Sequence, residues 1–497
     1  MKRTSIVILL LIAGMTGIHA QSFEDFISAN DAAFEAFTKK NDDEFEAFRK
    51  RINTAFADYM RAHWVWQEAN IVVANPEDEV PDVVPVVIPD LGEYEIPEDN
   101  QLTFEEIVPI PFDDPEPISV APIEYKPQPA EQAIEFMFYG TPCSVRFDSG
   151  KKAMLKDCRE DSVADMWEQL CTDDYNNILY DTQELRKNLD LCDWAYLKLT
   201  ESVAGEVYGP GTNEAVVLSA FLMNQSGFRI RMGRSGEDRI HLLIATADDI
   251  YDRLYWKMDN TRYYMTEDVE ISGMYVFETA FPNEQALRLS VDKEQNFISK
   301  MTPDRTLTPK RTKELTVTSS VNENLLSFYE GYPASHIRNN KYSQWYHYAN
   351  APVGDDVKEQ IYPSLKAAIK GKTQAQAANI IIDFVQTAFE YKTDDEVWGR
   401  ERTFFPEETL YYPYCDCEDR AILFSRLVRD LMGLEVVLVY YPGHLATAVN
   451  FTEDVTGDHI VIKDRKFVIC DPTYIGANIG MTMPGLEGAD VRILSLS

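Results

Sequence analysis

The stretch Tyr414–Gly433, YCDCEDRAILFSRLVRDLMG, decides how the rest of this chain is read. Asp416 is suited to cap a helix, and Ala421, Ile422, Phe424, Leu427, Val428 and Leu431 recur at helical spacing. Gly433 stands where such a helix should stop. Cys417 therefore falls in the first turn, where free backbone N–H groups and the positive end of the helix dipole favour a thiolate. The same N–H groups can donate to the oxyanion of an acyl-transfer intermediate. Glu418 and Asp419 oppose thiolate formation by charge, so an imidazolium close by is required as well.

The residues downstream supply one. A strand, Glu435–Tyr441, leads to Pro442-Gly443-His444, and His444 opens a second apolar run, LATAV. HIVI (459–462) and FVIC (467–470) flank a polar turn as a hairpin, which ends at Asp471-Pro472-Thr473. Antiparallel neighbours of this kind can bring His444 and Asp471 together with the imidazole facing the helix start. That is the arrangement a cysteine nucleophile needs: a base within reach and an acid that orients the base. His459 reads as a hairpin residue, and His336 and His347 as core or surface residues of an aromatic segment. No His/Cys cluster has metal-ligand spacing, so no metal and no cofactor are expected.

CDCEDRA at a helix start, GH before one strand and D-x-T after another resembles the transglutaminase-like superfamily of papain-like enzymes. The resemblance covers about residues 350–497, with Phe384-Val385-Gln386, Tyr391 and PEETL (406–410) similar to its bacterial members. It implies Cys417 as nucleophile, His444 as general base and acid, and Asp471 as the group that fixes the imidazole. Cys415 stands where a small residue is usual in that pattern, which leaves two thiols in contention; the register of Glu418-Asp419-Arg420-Ala421 favours Cys417. Gln386 reads first as a surface amide on a helix and second as a substrate-orienting group.

The middle of the chain repeats the pattern without its thiol. GTNEAVVLSAFLMNQSG (211–227) lies over CEDRAILFSRLVRDLMG (417–433) without gaps, which sets Gly211 at the position of Cys417. Each segment precedes a β-like run, and His241 stands before LLIAT much as His444 stands before LATAV. A degenerate second copy is expected.

Upstream lie three segments of different texture. Met1-Lys2-Arg3 and the apolar run Ser5–Ile12, followed by Ile18-His19-Ala20, read as a signal peptide over residues 1–20, the run being shorter than the roughly 20 residues a bilayer span needs. From residue 22 to 68 a long amphipathic helix is expected, because Phe23/Phe26, Phe34/Phe37, Phe45/Phe48 and Phe56/Tyr59 recur every eleven residues, three turns at about 3.67 per turn. Its aromatic stripe either packs on the globular body or serves a protein partner. Residues 71–130 hold 12 of the chain's 25 prolines and 15 acidic residues against one base, Lys126. They read as an acidic, semi-stiff linker whose Val/Ile-rich parts can lie along a surface as extended strand.

The bulk numbers set limits. At 497 residues and 45% hydrophobic, the chain can bury more than one core, and a net charge of −35 argues against nucleic acid and anionic membrane as partners. Seven cysteines, an odd number, leave at least one unpaired in an oxidising compartment, with connectivity open. Together the readings give an exported (periplasmic or secreted) α+β protein with no stable membrane insertion after signal removal. They divide it into a middle domain over 131–320, an inactive transglutaminase-like copy, and a papain/transglutaminase-like domain over 321–497. The expected activity is thioester chemistry on peptide or protein amide bonds, hydrolysis before crosslinking; the alternative is an inactive peptide-binding or scaffold protein on the same fold.

Overall fold

The computed structural model describes residues 42–61, 64–73, 85–88, 97–110, 132–281, 283–486 and 488–497, and the chain is a mixed α+β protein. The signal-peptide segment and Phe23, Phe26, Phe34 and Phe37 lie outside the described residues. What is described of the aromatic helix, α1 (Asp42–Met60), turns Phe48, Ile52, Phe56 and Met60 inward at the i, i+4 spacing of one face. Phe56 meets Trp167, Phe277 and Phe281 with ring centroids 5.2–5.3 Å apart. Asn53 is buried on the same face, where it donates to Gln225 and accepts from the Trp167 indole. This part of the stripe is spent on the body of the protein, against α2 (Glu160–Leu170).

Two antiparallel arrangements follow, each headed by a helix. In the first, α3 (Asp193–Tyr208) packs on α4 (Asn213–Gln225), a helix so apolar that every residue from Ala215 to Gln225 is buried. The helix expected to run to residue 68 stops at Met60, and Trp64–Glu68 instead forms a strand, β1, that pairs with the sheet; β1 and β2 (Asn70–Ile71) join this sheet from outside. A third, β3 (Glu106–Ile107), belongs to the other sheet. After α4 come β4 (Ile230–Ser235), β5 (Arg239–Ala245), β6 (Leu254–Met258), β7 (Thr261–Met265) and β8 (Gly273–Phe277), lying in the order β1-β8-β4-β5-β7-β6-β2.

The second arrangement starts with α5 (Gln374–Thr387), whose Thr373/Gln376 capping box fixes its start, and α6 (Cys417–Met432), which packs on it. Then come β9 (Glu435–Tyr441), β10 (His444–Asn450), β11 (His459–Ile462), β12 (Arg465–Cys470) and β13 (Arg492–Ser495), in the order β11-β12-β10-β9-β13-β3. Stripped of the N-terminal strands, both sheets place their five strands in one spatial order, fifth-first-second-fourth-third, with every neighbouring pair antiparallel. The helix ahead of each packs on the first two strands.

The helix starts do not match as the ungapped alignment implies. Thr212 caps α4 and Asp416 caps α6, so Asn213, rather than Gly211, takes the place of Cys417. Alignment on the terminal glycines misses this because the helices differ in length: 13 residues in α4 and 16 in α6.

The acidic segment is more than a tether. Val87 bridges to Ile475, Gln101 to His459, and β3 pairs in parallel with β13. Val86, Ile88, Leu102 and Phe104 pack against the face of the second sheet that α6 does not cover. Its charge is met locally: Lys466 binds Asp99 at 2.6 Å, and Arg492 binds Glu105 and Glu106. Among the described residues no helix is long and apolar enough to cross a membrane.

Two segments alternate like strands without forming continuous ones. LRLSV (287–291) runs as irregular chain with a single bridge from Leu287 to Thr246, and only Val317–Ser319 of ELTVTSSV becomes strand. Leu287, Leu289 and Val291 are nonetheless buried, so the alternation records a buried edge of the core without a continuous ladder.

Candidate active site

Cys417 is the first residue of α6 and is buried, 3% exposed. The cap around it is acidic: Asp416 N–H donates to Asp419 Oδ2 at 3.4 Å, and Phe404 N–H donates to Asp419 Oδ1 at 2.8 Å. Gly433, at φ +66, closes the helix by donating to Arg429 O, the left-handed stop that the sequence foretells.

His444 is the first residue of β10, in the two-residue hairpin Tyr441–His444. Its Nε2 lies 2.9 Å from Asp471 Oδ2, both side chains being almost wholly buried. Asp471 directly follows β12, which pairs with β10, and this register brings the two together. Its other oxygen accepts from the N–H groups of Thr473 at 2.9 Å and Tyr474 at 3.2 Å, which fixes the carboxylate. The Tyr441 ring stacks on the imidazole at 6.2 Å. His444 Nδ1, on the other edge of the ring, is buried and has no hydrogen-bond partner.

Cys417 and His444 are not hydrogen-bonded to each other. The thiol donates instead to Glu418 Oε2 at 3.2 Å. The backbone N–H of Leu445, one residue beyond His444, acts on the thiol in the opposite sense, favouring the thiolate. Burial pushes the Cys417 thiol well above its ordinary range, the charges of Glu418 and Asp416 push it further, and the Leu445 N–H only partly opposes them. The helix start was expected to favour a thiolate; desolvation and the neighbouring carboxylates outweigh it.

Cys415 and Gln386 each take definite partners, and Gln386 departs from its sequence reading. Cys415 receives Arg420 Nε at 3.4 Å and sits in a short parallel pairing with Tyr391, while Arg420 also donates to Gln386 O and Phe389 O. All seven cysteines are free thiols, so nothing ties Cys417 to Cys415 or Cys470. Gln386 is no surface amide: it is 2% exposed, and its Nε2 donates to the carbonyls of Asp471, Tyr474 and Ala477. Its Oε1 accepts from Gly476 N–H at 3.1 Å. Gln386 thus ties down the loop that holds Asp471.

Among the histidines set aside, His459 Nδ1 faces Gly457 O, while His336 and His347 lie 3.2 and 3.3 Å from Asp249 and Asp248 in the first arrangement.

Two further features bear on Cys417, an acidic cluster without a local sequence signal and Tyr391, which the sequence marks only through the resemblance. Asp394, Glu401 and Glu418 each present one carboxylate oxygen within 4.8 Å of the others. Glu418 Oε1 is buried without a hydrogen-bond donor. Burial raises the carboxyls of Asp416, Glu418 and Asp419 well above the usual range, each driven further by its acidic neighbours, and pushes Asp394 up to about 8. Such a cluster is stable only with shared protons or a hard cation among its oxygens. His/Cys spacing cannot reveal an all-oxygen site. The second feature is Tyr391, whose buried hydroxyl has no hydrogen-bond partner and feels the charges of Cys417, Asp416 and Glu418.

The arrangement offers a buried, oriented imidazole with one open nitrogen, a buried thiol at the start of α6, and a buried phenol without a hydrogen-bond partner. Comparison with known proteins returned nothing: no family model, no curated protein and no solved structure matches this chain.

Proposed function

We propose that this chain is an exported cysteine-dependent acyl-transfer enzyme of transglutaminase-like type, acting on peptide or protein amide bonds. The observation that carries the reading is the buried His444–Asp471 pair at 2.9 Å, with His444 Nδ1 left open. In the first step the Cys417 thiol gives its proton to His444 Nδ1, and the sulfur bonds to the carbonyl carbon. Asp471 keeps the ring oriented and stabilises its charge. The imidazolium then protonates the leaving amine, and a thioester remains. Water, activated by the same imidazole, releases the acid; hydrolysis is favoured over crosslinking because nothing beside Cys417 marks an amine subsite. Tyr391 Oη is the side-chain donor available to the oxyanion.

For this to run, the thiol must exchange Glu418 for His444, and the site must open, since Cys417, His444 and Asp471 are at most 3% exposed. The closed, protonated thiol is also what favours the second reading, an inactive peptide-binding or scaffold protein. Alkylation of the mature protein with iodoacetamide across pH separates the two. Modification of Cys417 at neutral pH after substrate-like peptide is added, lost in His444→Ala, supports the enzyme. Modification only under alkaline conditions, with or without peptide, supports the scaffold.

A further inference from the structure

The first sheet carries a hydrogen-bonded chain that the cysteine chemistry does not use. Ser235 ends β4, and its Oγ lies 2.7 Å from His241 Nε2 on the adjacent strand. His241 Nδ1 in turn lies 3.0 Å from Glu267 Oε2. Arg239 holds the other carboxylate oxygen at 2.6 Å and also donates to Gly211 O. His241 is buried, whereas Ser235 is half-exposed at the hairpin end. A hydroxyl, an imidazole and a carboxylate thus stand in line, each within hydrogen-bond reach and the first accessible to solvent.

The position gives the chain its meaning. β4 and β5 hold the place in this sheet that β9 and β10 hold in the other, and β7 corresponds to β12. Continuing the β5/β7 register two residues past Met265↔Leu243 sets Glu267 opposite His241. The base–acid pair therefore comes from the same two strands as His444 and Asp471, at the same end of the sheet. At the helix start, where the other copy has Cys417, Asn213 bonds Ile240 N–H and Asp238 O. The imidazole edge turned from the acid, open in His444, is filled here by Ser235.

We propose that Ser235, His241 and Glu267 form a second nucleophilic centre, one that takes short carboxylic esters. Ser235 Oγ bonds to the ester carbonyl carbon as its proton passes to His241 Nε2. The C–O bond to the alcohol breaks, and that alcohol leaves with the proton. Water then attacks the acyl-serine, giving a proton to Nε2 that returns to Oγ as the acid departs. Glu267 stays ionised throughout: burial tends to raise its carboxyl, but the bonds from His241 and Arg239 hold it below the ordinary value.

The test uses the full mature chain carrying Cys417→Ala, so that its outcome is independent of the cysteine site. The protein is treated with a fluorophosphonate probe and with p-nitrophenyl acetate, and the modified residue is mapped by peptide mass spectrometry. Stoichiometric probe on Ser235 is expected, with ester turnover falling at least tenfold in Ser235→Ala. Glu267→Gln keeps the size of the acid and should slow labelling by tenfold or more with the circular dichroism spectrum unchanged. Probe on other serines only, or equal labelling of Ser235 in Glu267→Gln, overturns the proposal.

Discussion

Replacing Glu418 with Gln tests the electrostatics of Cys417 directly. The thiol donates to Glu418 Oε2 at 3.2 Å in a buried site. Two unit charges at that separation repel by about 5 kcal/mol at an effective dielectric of 20. That figure is a ceiling, because the carboxylate charge is spread over two oxygens and burial, then Glu401 and Asp394, push the Glu418 carboxyl itself upward. A fall in the Cys417 alkylation midpoint is therefore expected for the variant, its direction set by the loss of one neighbouring negative charge. The assay is the rate of iodoacetamide alkylation against pH, with Cys417, Cys415 and Cys470 quantified as separate peptides. The Cys417 midpoint should move down while Cys415 and Cys470, which do not touch Glu418, stay in place. A midpoint that is unchanged or raised in a protein of native circular dichroism refutes the reasoning, because burial alone would then be setting the thiol.

Gln386→Ala leaves three carbonyls and the Gly476 N–H without their buried partner, and should lower the unfolding free energy by about 3 kcal/mol or more in urea titration. Tyr391→Phe should slow acyl transfer by about a hundredfold to a thousandfold with the melting temperature unchanged, as loss of one oxyanion donor does; an unaltered rate removes Tyr391 from the chemistry. Asp394 is raised to about 8, and Glu407 and Glu408 to about 7, mainly by burial, so the folded protein holds protons that the unfolded chain releases. Their contribution is complete at acid pH below the unfolded values and is lost as pH rises through 7 to 8, so the melting temperature should fall between pH 5 and 8.5. Millimolar calcium should flatten that fall if a cation replaces the shared protons at Asp394, Glu401 and Glu418; a slope unchanged by calcium leaves protons as the neutralising species.

Much of the second sheet was legible because its determinants are local. Glu435–Tyr441 and His459–Ile462 are strands at the boundaries their β-branched residues imply, and Asp416 and Gly433 mark the ends of α6. His444 and Asp471 could be paired in advance because both lie at strand ends whose order the hairpins dictate. The acid cluster could not be: Asp394 and Glu401 come from a short helix and loop ahead of α6, and only tertiary packing sets them against Glu418. Gln386 was misjudged for a related reason. A polar residue on an apolar helix looks like a surface position until the loop it serves, some ninety residues later, is in place. The acidic segment was legible in part: its Val/Ile-rich run was expected to lie along a surface, and Val86 and Ile88 do so, while Leu102, Phe104 and β3 dock where composition gave no sign of it.

The two sheets bear on each other's chemistry. At the start of α4, Asn213 Oδ1 receives the N–H of Ile240, so in the first sheet an amide ties the helix start to the strand. What distinguishes the second sheet is the unfilled Nδ1 of a buried imidazole, a costly arrangement for a group serving only to pack. In the first sheet the corresponding edge is filled by a serine, and the histidine there is fully satisfied. The two imidazoles are therefore at different stages of engagement: His241 already meets a hydroxyl that can serve as its nucleophile, while His444 keeps one buried edge unfilled, and that open edge, more than the presence of a Cys, a His and an Asp, argues that the second site is kept for chemistry.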